Sequence, residues 1–191
     1  WSARTQARGF PLSRHTVFFS DDYAAEFEDV FARRRTPSAP TVYVCAQDRD
    51  DAGARIDGAA EDAPERLLIL TNAPPDGDKT TFDGERGDAC EDATWAQLER
   101  CGLTIARTAD QVVRTTPTGF DALFPGTGGA LYGRASHGWA ATFQRPGARS
   151  AIRGLYLAGG AVHPGPGIPM AALSGAQAAA AAMADRDSTA R

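Results

Sequence analysis

TVYVCAQDRDDAGARIDGAAEDAPERLLILTNAP, residues 41–74, holds two β-rich runs, TVYVCAQ (41–47) and ERLLILTNAP (65–74), separated only by a polar stretch rich in Asp and Gly from Asp48 to Pro64. No helical pattern lies between the runs, and a parallel pair needs a crossover connection, most often a helix. The order strand, long loop, strand therefore predicts an antiparallel sheet and an α+β class rather than repeated βαβ units.

Upstream, HTVFFS (15–20) reads as a further strand, and Asp21 and Asp22 are N-cap candidates for the amphipathic stretch YAAEFEDVFARRR, in which Phe27, Val30 and Phe31 recur at helical spacing. Downstream, Pro74 to Gly87 is rich in turn residues. CEDATWAQLERC (90–101) predicts a helix with Trp95 and Leu98 inward and Gly102 as its stop. QVVRTTP (111–117) predicts a short strand, and in TGFDALFPG Thr118 precedes a brief helical turn that Pro125 and Gly126 end. The last unit is the clearest: LYLAGG (155–160) reads as a compact apolar strand of the kind found in a parallel nucleotide-binding sheet, and MAALSGAQAAAAAMAD (170–185) as a helix, since Ala is the strongest helix former. The tail from Arg186 onward is expected to fray.

The chain has 191 residues, 42% of them hydrophobic, which is compatible with a real core. No apolar run approaches the roughly 20 residues of a membrane span. The net charge is −4, and acidic neighbours surround Arg33, Arg34 and Arg35, so a nucleic-acid-binding face is not expected. Cys45, Cys90 and Cys101 form no CxxC pair, and their odd number argues against a disulfide framework and for a reducing compartment. The sequence contains no Ser-His-Asp pattern, metal-ligand spacing or Walker motif.

The densest signal is GGAVHPGPGIPMAALSG (159–175), where glycines and prolines crowd in front of the Ala-rich run. Gly159 and Gly160 carry no Cβ, so another backbone or a flat ligand can come close. Gly165 and Gly167 admit positive φ, whereas Pro164, Pro166 and Pro169 hold φ near about −65°. The loop is thus irregular and stiff at once. Pro169 falls in the first helical turn, where its missing N–H would have had no helical partner. The free N–H groups of Met170 and Ala171 leave a partial charge of roughly +0.5 at the helix end. Such an end attracts a phosphate, a carboxylate or the N1–C2 carbonyl edge of a flavin. The same composition suits a plain connecting loop before a close-packed helix, and the residues by themselves leave both readings open.

LYLAGGAVHPGPGIPMAALSG resembles the C-terminal flavin-contacting motif of the carotenoid desaturases, the phytoene desaturase family of FAD flavoproteins: a strand, Gly-Gly or Gly-Ala, THPG, GxP and a small-residue helix with SG. TPTGFDALFPGTGGALYGRASHGWAATFQRPGARS (116–150) is similar to the same family, nearest to the bacterial 1-hydroxycarotenoid 3,4-desaturases, also called methoxyneurosporene dehydrogenases. The likeness is strongest from Thr116 to Ala180, and HTVFFSDDYAAEF and APTVYVCAQDRD add a diffuse match upstream. It implies an enzyme that uses FAD to introduce a C=C bond into an acyclic hydroxy- or methoxy-carotenoid. Residues 1–150 would belong to a mainly antiparallel substrate-binding domain. Residues 151–185 would be the last strand, loop and helix of a Rossmann-like FAD-binding domain, and 186–191 a tail.

Carried over by position, the resemblance places Gly159 and Gly160 near the ribityl-pyrophosphate part of FAD, and Gly167, Ile168, Pro169 and Met170 at the isoalloxazine. His163 either sits over the flavin or polyene or anchors the loop by hydrogen bonding. Two positions depart from the family pattern, Val162 in place of Thr and Ala176 in place of Arg. The N-terminal GxGxxG of these flavoproteins has no counterpart, since GTGGAL (126–131) lacks the third Gly and no strand leads through it into a helix. The chain, which begins without Met, is therefore expected to be the C-terminal part of such an enzyme and to bind FAD weakly or not at all by itself. The implied partners are a carotenoid and, by peripheral contact, a membrane; the implied location is the cytoplasm, at the inner or photosynthetic membrane. A non-catalytic substrate-binding fragment and a flavin-dependent polyene isomerase or saturase are the rival readings. Trp139 and Phe143 line a carotenoid tunnel or belong to a plain core, and His137 is a surface or core histidine. Arg33–Arg35 either touch anionic lipid headgroups or end a solvated helix.

Overall fold

Val42–Ala46 and Glu65–Thr71 pair antiparallel, Val42 opposite Thr71 and Ala46 opposite Leu67, as the loop without a crossover helix requires. The structure is a computed structural model that describes residues 1–107, 111–132 and 144–189, and the chain divides into two compact units, Trp1–Gly129 and Ala130–Arg191. In chain order the first unit carries β1 (Ser2–Thr5), β2 (Ala7–Gly9), β3 (His15–Phe18), α1 (Tyr23–Phe27), a π-helical turn (Glu28–Ala32), β4 (Val42–Ala46), β5 (Glu65–Thr71), α2 (Glu85–Arg100), β6 (Leu103–Ile105), β7 (Val112–Val113) and α3 (Pro117–Leu123). The sheet order is β3-β4-β5-β1-β7, antiparallel throughout, and β2 pairs with β6 separately.

Alternation in β4 and β5 sends Val42, Val44, Ala46, Leu67 and Ile69 to one face, joined there by Ala3 of β1. Trp95 and Leu98 of α2 cover that face, and both are buried as their spacing predicts. Burying side chains of this size stabilises by roughly 1.5–3 kcal/mol each. Gly102 ends α2 with φ +85°, in the left-handed conformation that glycine adopts without strain.

The Asp48–Pro64 segment contains no helix or strand and is tied down by charge. Arg49, almost fully buried, donates from Nε and Nη2 to the two Glu65 carboxylate oxygens at 2.8 and 2.9 Å and from Nη1 to the Gly53 carbonyl at 3.0 Å. The Glu65 carboxylate raises the Arg49 pKa further above its ordinary value. Asp48 accepts the Arg66 backbone N–H and its Nε, each at 2.8 Å, and the Arg66 guanidinium holds the Asp48 carboxyl below the usual range.

The stretch 23–35 departs from expectation. Asp22 caps α1 by accepting the Ala25 N–H at 2.9 Å, as foreseen, but the helix widens after Phe27 into the π-turn, which the Arg33 N–H closes on the Glu28 carbonyl at 2.9 Å. Its inward side carries Glu26, Asp29 and Val30 rather than Phe27 and Phe31, which stay largely exposed. The reason is polar: Glu26 accepts the Thr41 N–H and the Asn72 amide, at 3.0 and 2.9 Å, and Asp29 accepts from Arg33 and Arg35. Arg34 pairs with Asp76. The three arginines thus answer carboxylates of this chain.

The cap of α3 is Thr116, which accepts the Gly119 N–H at 3.2 Å; Thr118 instead accepts the Phe82 N–H at 2.9 Å. Gly128 in GTGGAL packs so tightly that a Cβ would lie 2.4 Å from the Pro75 carbonyl oxygen, a reason for glycine that involves no nucleotide. In the second unit the expected strand 155–160 is reduced to one antiparallel bridge, Arg149 with Tyr156. An apolar strand needs neighbours on its edges, and no strand lies beside it among the described residues of this unit. α4 (Ile168–Thr189) continues through residues 186–189, where the composition suggests fraying.

Candidate functional site

The second unit is built around α4. Near its C-terminal end Asp185 accepts the Tyr156 hydroxyl at 2.8 Å and the Arg149 guanidinium at 2.8 and 3.2 Å, which fastens the helix to the 149–156 hairpin. The Arg149 guanidinium, then the Tyr156 hydroxyl, hold the Asp185 carboxyl below the usual carboxylate range. At the other end Ser174, fully buried, accepts the Gly159 N–H at 2.7 Å and donates to the Ala171 carbonyl at 2.7 Å. One hydroxyl thus joins the start of the loop to the first turns of the helix that the loop leads into. The sequence shows Ser174 only as one small residue of an SG pair, and its signal is that it interrupts an alanine run.

Between these ends the loop takes the backbone that its composition predicts. Gly159, Gly165 and Gly167 have φ of +122°, +134° and +104°. The peptide between His163 and Pro164 is cis. The Val162 N–H bonds back to the Gly159 carbonyl at 3.1 Å and its side chain is buried, the place where the family pattern has Thr. His163 is half-buried; its backbone N–H donates to the Pro146 carbonyl at 2.9 Å, and its imidazole has no hydrogen-bond partner among the described residues. Arg145 donates to the Gly160 carbonyl at 3.2 Å and lies against Gly165. His137, Trp139 and Phe143 lie outside the described residues.

The helix end opens to the surface of its unit. Ile168 is 88% and Met170 42% exposed, and a Cβ built on Gly159 or Gly167 would meet nothing within 4 Å. The Ala171 N–H is already taken by the Gly167 carbonyl at 2.8 Å, so the uncommitted first-turn donors are those of Ile168 and Met170, with Pro169 contributing none. Gly159, Gly160, His163, Gly167, Ile168, Pro169 and Met170 therefore belong to one stiff connection between the hairpin and an exposed helix N-terminus. Free N–H groups, a positive helix end and side-chain-free space fit the electron-rich edge of a flat heterocycle. Among the described residues no group of His, Cys, Asp and Glu could hold a metal ion. Cys45, Cys90 and Cys101 are free thiols, and burial pushes the Cys90 thiol up.

Residues 19–183 match the family described as flavin containing amine oxidoreductase. The chain belongs to that family. Among curated relatives of this flavin family, the hydroxyneurosporene desaturase of Rubrivivax gelatinosus is 53% identical over all 191 residues, and that of Cereibacter sphaeroides is 42% identical over the same length. The 1-hydroxycarotenoid 3,4-desaturase of a Flavobacterium species is 31% identical over 180 residues, 87% of the chain. The chain spans 35%, 37% and 33% of these three relatives' own lengths. The likeness to carotenoid desaturases carried by LYLAGGAVHPGPGIPMAALSG thus extends over the whole chain, and the flavin it implied is the cofactor of the family.

Proposed function

We propose that the chain is the C-terminal part of an FAD-dependent carotenoid desaturase acting on an acyclic hydroxy- or methoxy-carotenoid. The observation that carries this reading is the exposed N-terminus of α4, held by a rigid Gly/Pro loop, in a chain 53% identical to a hydroxyneurosporene desaturase. Bound FAD would supply the two-electron acceptor for a hydride removed from an allylic carbon, a proton being lost from the neighbouring carbon. The chain's own part is to hold and bias that cofactor. The N–H groups of Ile168 and Met170 would hold the pyrimidine edge of the flavin, and Ser174 fixes the distance between Gly159 and this helix end. Gly159, where a Cβ would meet nothing within 4 Å, would leave room for the ribityl-pyrophosphate beside Gly160, and His163 would face the cofactor or polyene.

In this reading residues 1–150 form part of the substrate-binding domain. Residues 151–185 join a Rossmann-like FAD-binding domain, whose neighbouring strands complete the Leu155–Ala158 segment, and 186–191 form the tail. The enzyme is cytoplasmic and peripheral to the inner or photosynthetic membrane, where its substrate dissolves. The exposed aromatic row Phe19, Tyr23, Phe27 and Phe31, with successive centroids 5.9, 4.9 and 5.8 Å apart, supports membrane contact, while Arg33–Arg35 are occupied by carboxylates. No described helix is long and apolar enough to cross a membrane. The test is to supply the complete enzyme with a 1-hydroxylated acyclic carotenoid and follow the visible spectrum. A red-shifted product with one more conjugated double bond is expected, and an unchanged spectrum with FAD bound refutes the reading.

A further inference from the structure

The sheet face that α2 leaves uncovered is graded from apolar to polar. Side chains at paired positions stand side by side across strands. Val17, Tyr43 and Leu70 form one row, and His15, Cys45, Leu68, Ser2 and Val113 the next. One more pairing step gives the third: the Gln47 N–H bonds the Arg66 carbonyl, Arg66 lies opposite Arg4, and the Arg4 N–H bonds the Gln111 carbonyl. The row Gln47, Arg66, Arg4, Gln111 is wholly polar. From Leu70 to Arg66 along β5 is roughly 14 Å at about 3.4 Å per residue.

A cavity of about 730 Å³ opens over the polar row, with Ser2, Arg4, Gln47, Arg66, Gln111 and Val113 in its lining. The Arg66 guanidinium is committed to Asp48. The Arg4 guanidinium has no hydrogen bond or ion pair among the described residues and is free to donate. A ligand that suits such a face has an apolar body and one polar end. Bringing that end out of water is unfavourable unless a hydrogen bond replaces the lost one.

We propose that this face seats one end of the acyclic polyene, and that Arg4 donates to the oxygen of its terminal hydroxyl or methoxy group while the Gln47 and Gln111 carboxamides complete the cavity. This specificity subsite rests on the desaturase reading above. Val17, Tyr43, Leu68 and Leu70 carry the hydrocarbon. The cavity then explains how the enzyme selects a substrate with an oxygenated end, since leaving Arg4 facing a bare hydrocarbon end forfeits the bond.

The test compares a 1-hydroxylated acyclic carotenoid with its non-hydroxylated counterpart on the complete enzyme, as wild type, Arg4→Met, Arg4→Lys and Gln111→Leu. Dissociation constants from the polyene absorption band accompany kcat/KM. Arg4 and Gln111 are exposed, so the variants are expected to keep wild-type circular dichroism and flavin spectra. Arg4→Met should lower kcat/KM and binding for the hydroxylated polyene about fivefold to tenfold, the value of one hydrogen bond, and leave the other polyene unchanged. Arg4→Lys should restore part of the loss, and Gln111→Leu should shift the ratio in the same direction, which decides the matter independently of Arg4. Equal losses on both polyenes, or no change in the ratio, overturn the subsite while leaving the desaturase reading intact. A wild-type enzyme that converts neither polyene refutes the desaturase reading and the subsite with it.

Discussion

Replacing Ser174 by Ala in the complete enzyme should loosen the exposed N-terminal end of α4 without touching its surface. The hydroxyl accepts the Gly159 N–H at 2.7 Å and donates to the Ala171 carbonyl at 2.7 Å. That carbonyl keeps its helical partner four residues on, so the loss falls on Gly159, whose N–H would be left without an acceptor beside a fully buried position. An unmade bond of this kind costs about 1–3 kcal/mol, and about 2 kcal/mol is expected. The adjacent Gly175→Ala is the control. A Cβ there meets nothing within 4 Å, and helix propensity alone should stabilise by up to about 1 kcal/mol. Urea denaturation of the flavin-free enzyme gives the stability change, and flavin fluorescence on titration gives the FAD dissociation constant. Ser174→Ala should weaken FAD binding at least fivefold, because the distance between Gly159 and the first helical turn is no longer fixed. A destabilisation below about 0.5 kcal/mol with unchanged FAD affinity would refute the role given to this hydroxyl.

Glu65→Gln takes the bidentate, buried carboxylate from the Arg49 guanidinium and leaves it only the exposed Glu61; it should destabilise by about 2 kcal/mol in urea denaturation. Gly167→Ala places a Cβ in open space but at φ +104°, so the strain is backbone alone; about 1–2 kcal/mol is expected, with FAD titration showing weakened binding. Asp29, Asp48 and Asp185 have carboxyls held below the ordinary value by Arg33, Arg66 and Arg149, and Arg55 pulls Asp57 down to about 2. A depressed folded-state pKa contributes stability that is complete above the unfolded value of 3.8 and is lost as pH falls through the folded one. The urea midpoint should therefore hold between pH 7 and about 5 and fall from about pH 4 toward 2; a midpoint already falling near pH 6 would contradict this assignment.

The antiparallel pairing of residues 41–74 and the inward Trp95 and Leu98 were legible because alternation and helical spacing act over many residues. The loop at 159–175 was legible for another reason: Gly165 and Gly167 stand where positive φ is required. β1 gave no such signal, because Ala3 and Thr5 are small inward residues between exposed Ser2 and Arg4, and the strand exists through its partners β5 and β7 rather than through its own propensity. The inward turn of Glu26 and Asp29 was hidden for a similar reason. Carboxylates are ordinarily read as solvent-facing, and only Thr41, Asn72 and the arginines, distant or adjacent in sequence, make their burial favourable. Segment 155–158 shows the reverse, a strand pattern whose edges find no strand among the described residues. Ser174 was visible as a residue type but not as a bracket, since its partner Gly159 is brought beside it only once the loop has closed.

The position of β1 has a consequence for assembly. Its residues precede those of both neighbours in the chain, yet they slot between β5 and β7, pairing Ala3 with Leu67 and with Val112. Until those later segments emerge the first strand has no berth, and until it arrives the flank of β5 offers bare amides and carbonyls to any stray strand. Nascent chains should thus be most vulnerable to mispairing in that interval, and hydrogen exchange pulsed during refolding should find the Ala3 and Thr5 amides among the last to be protected.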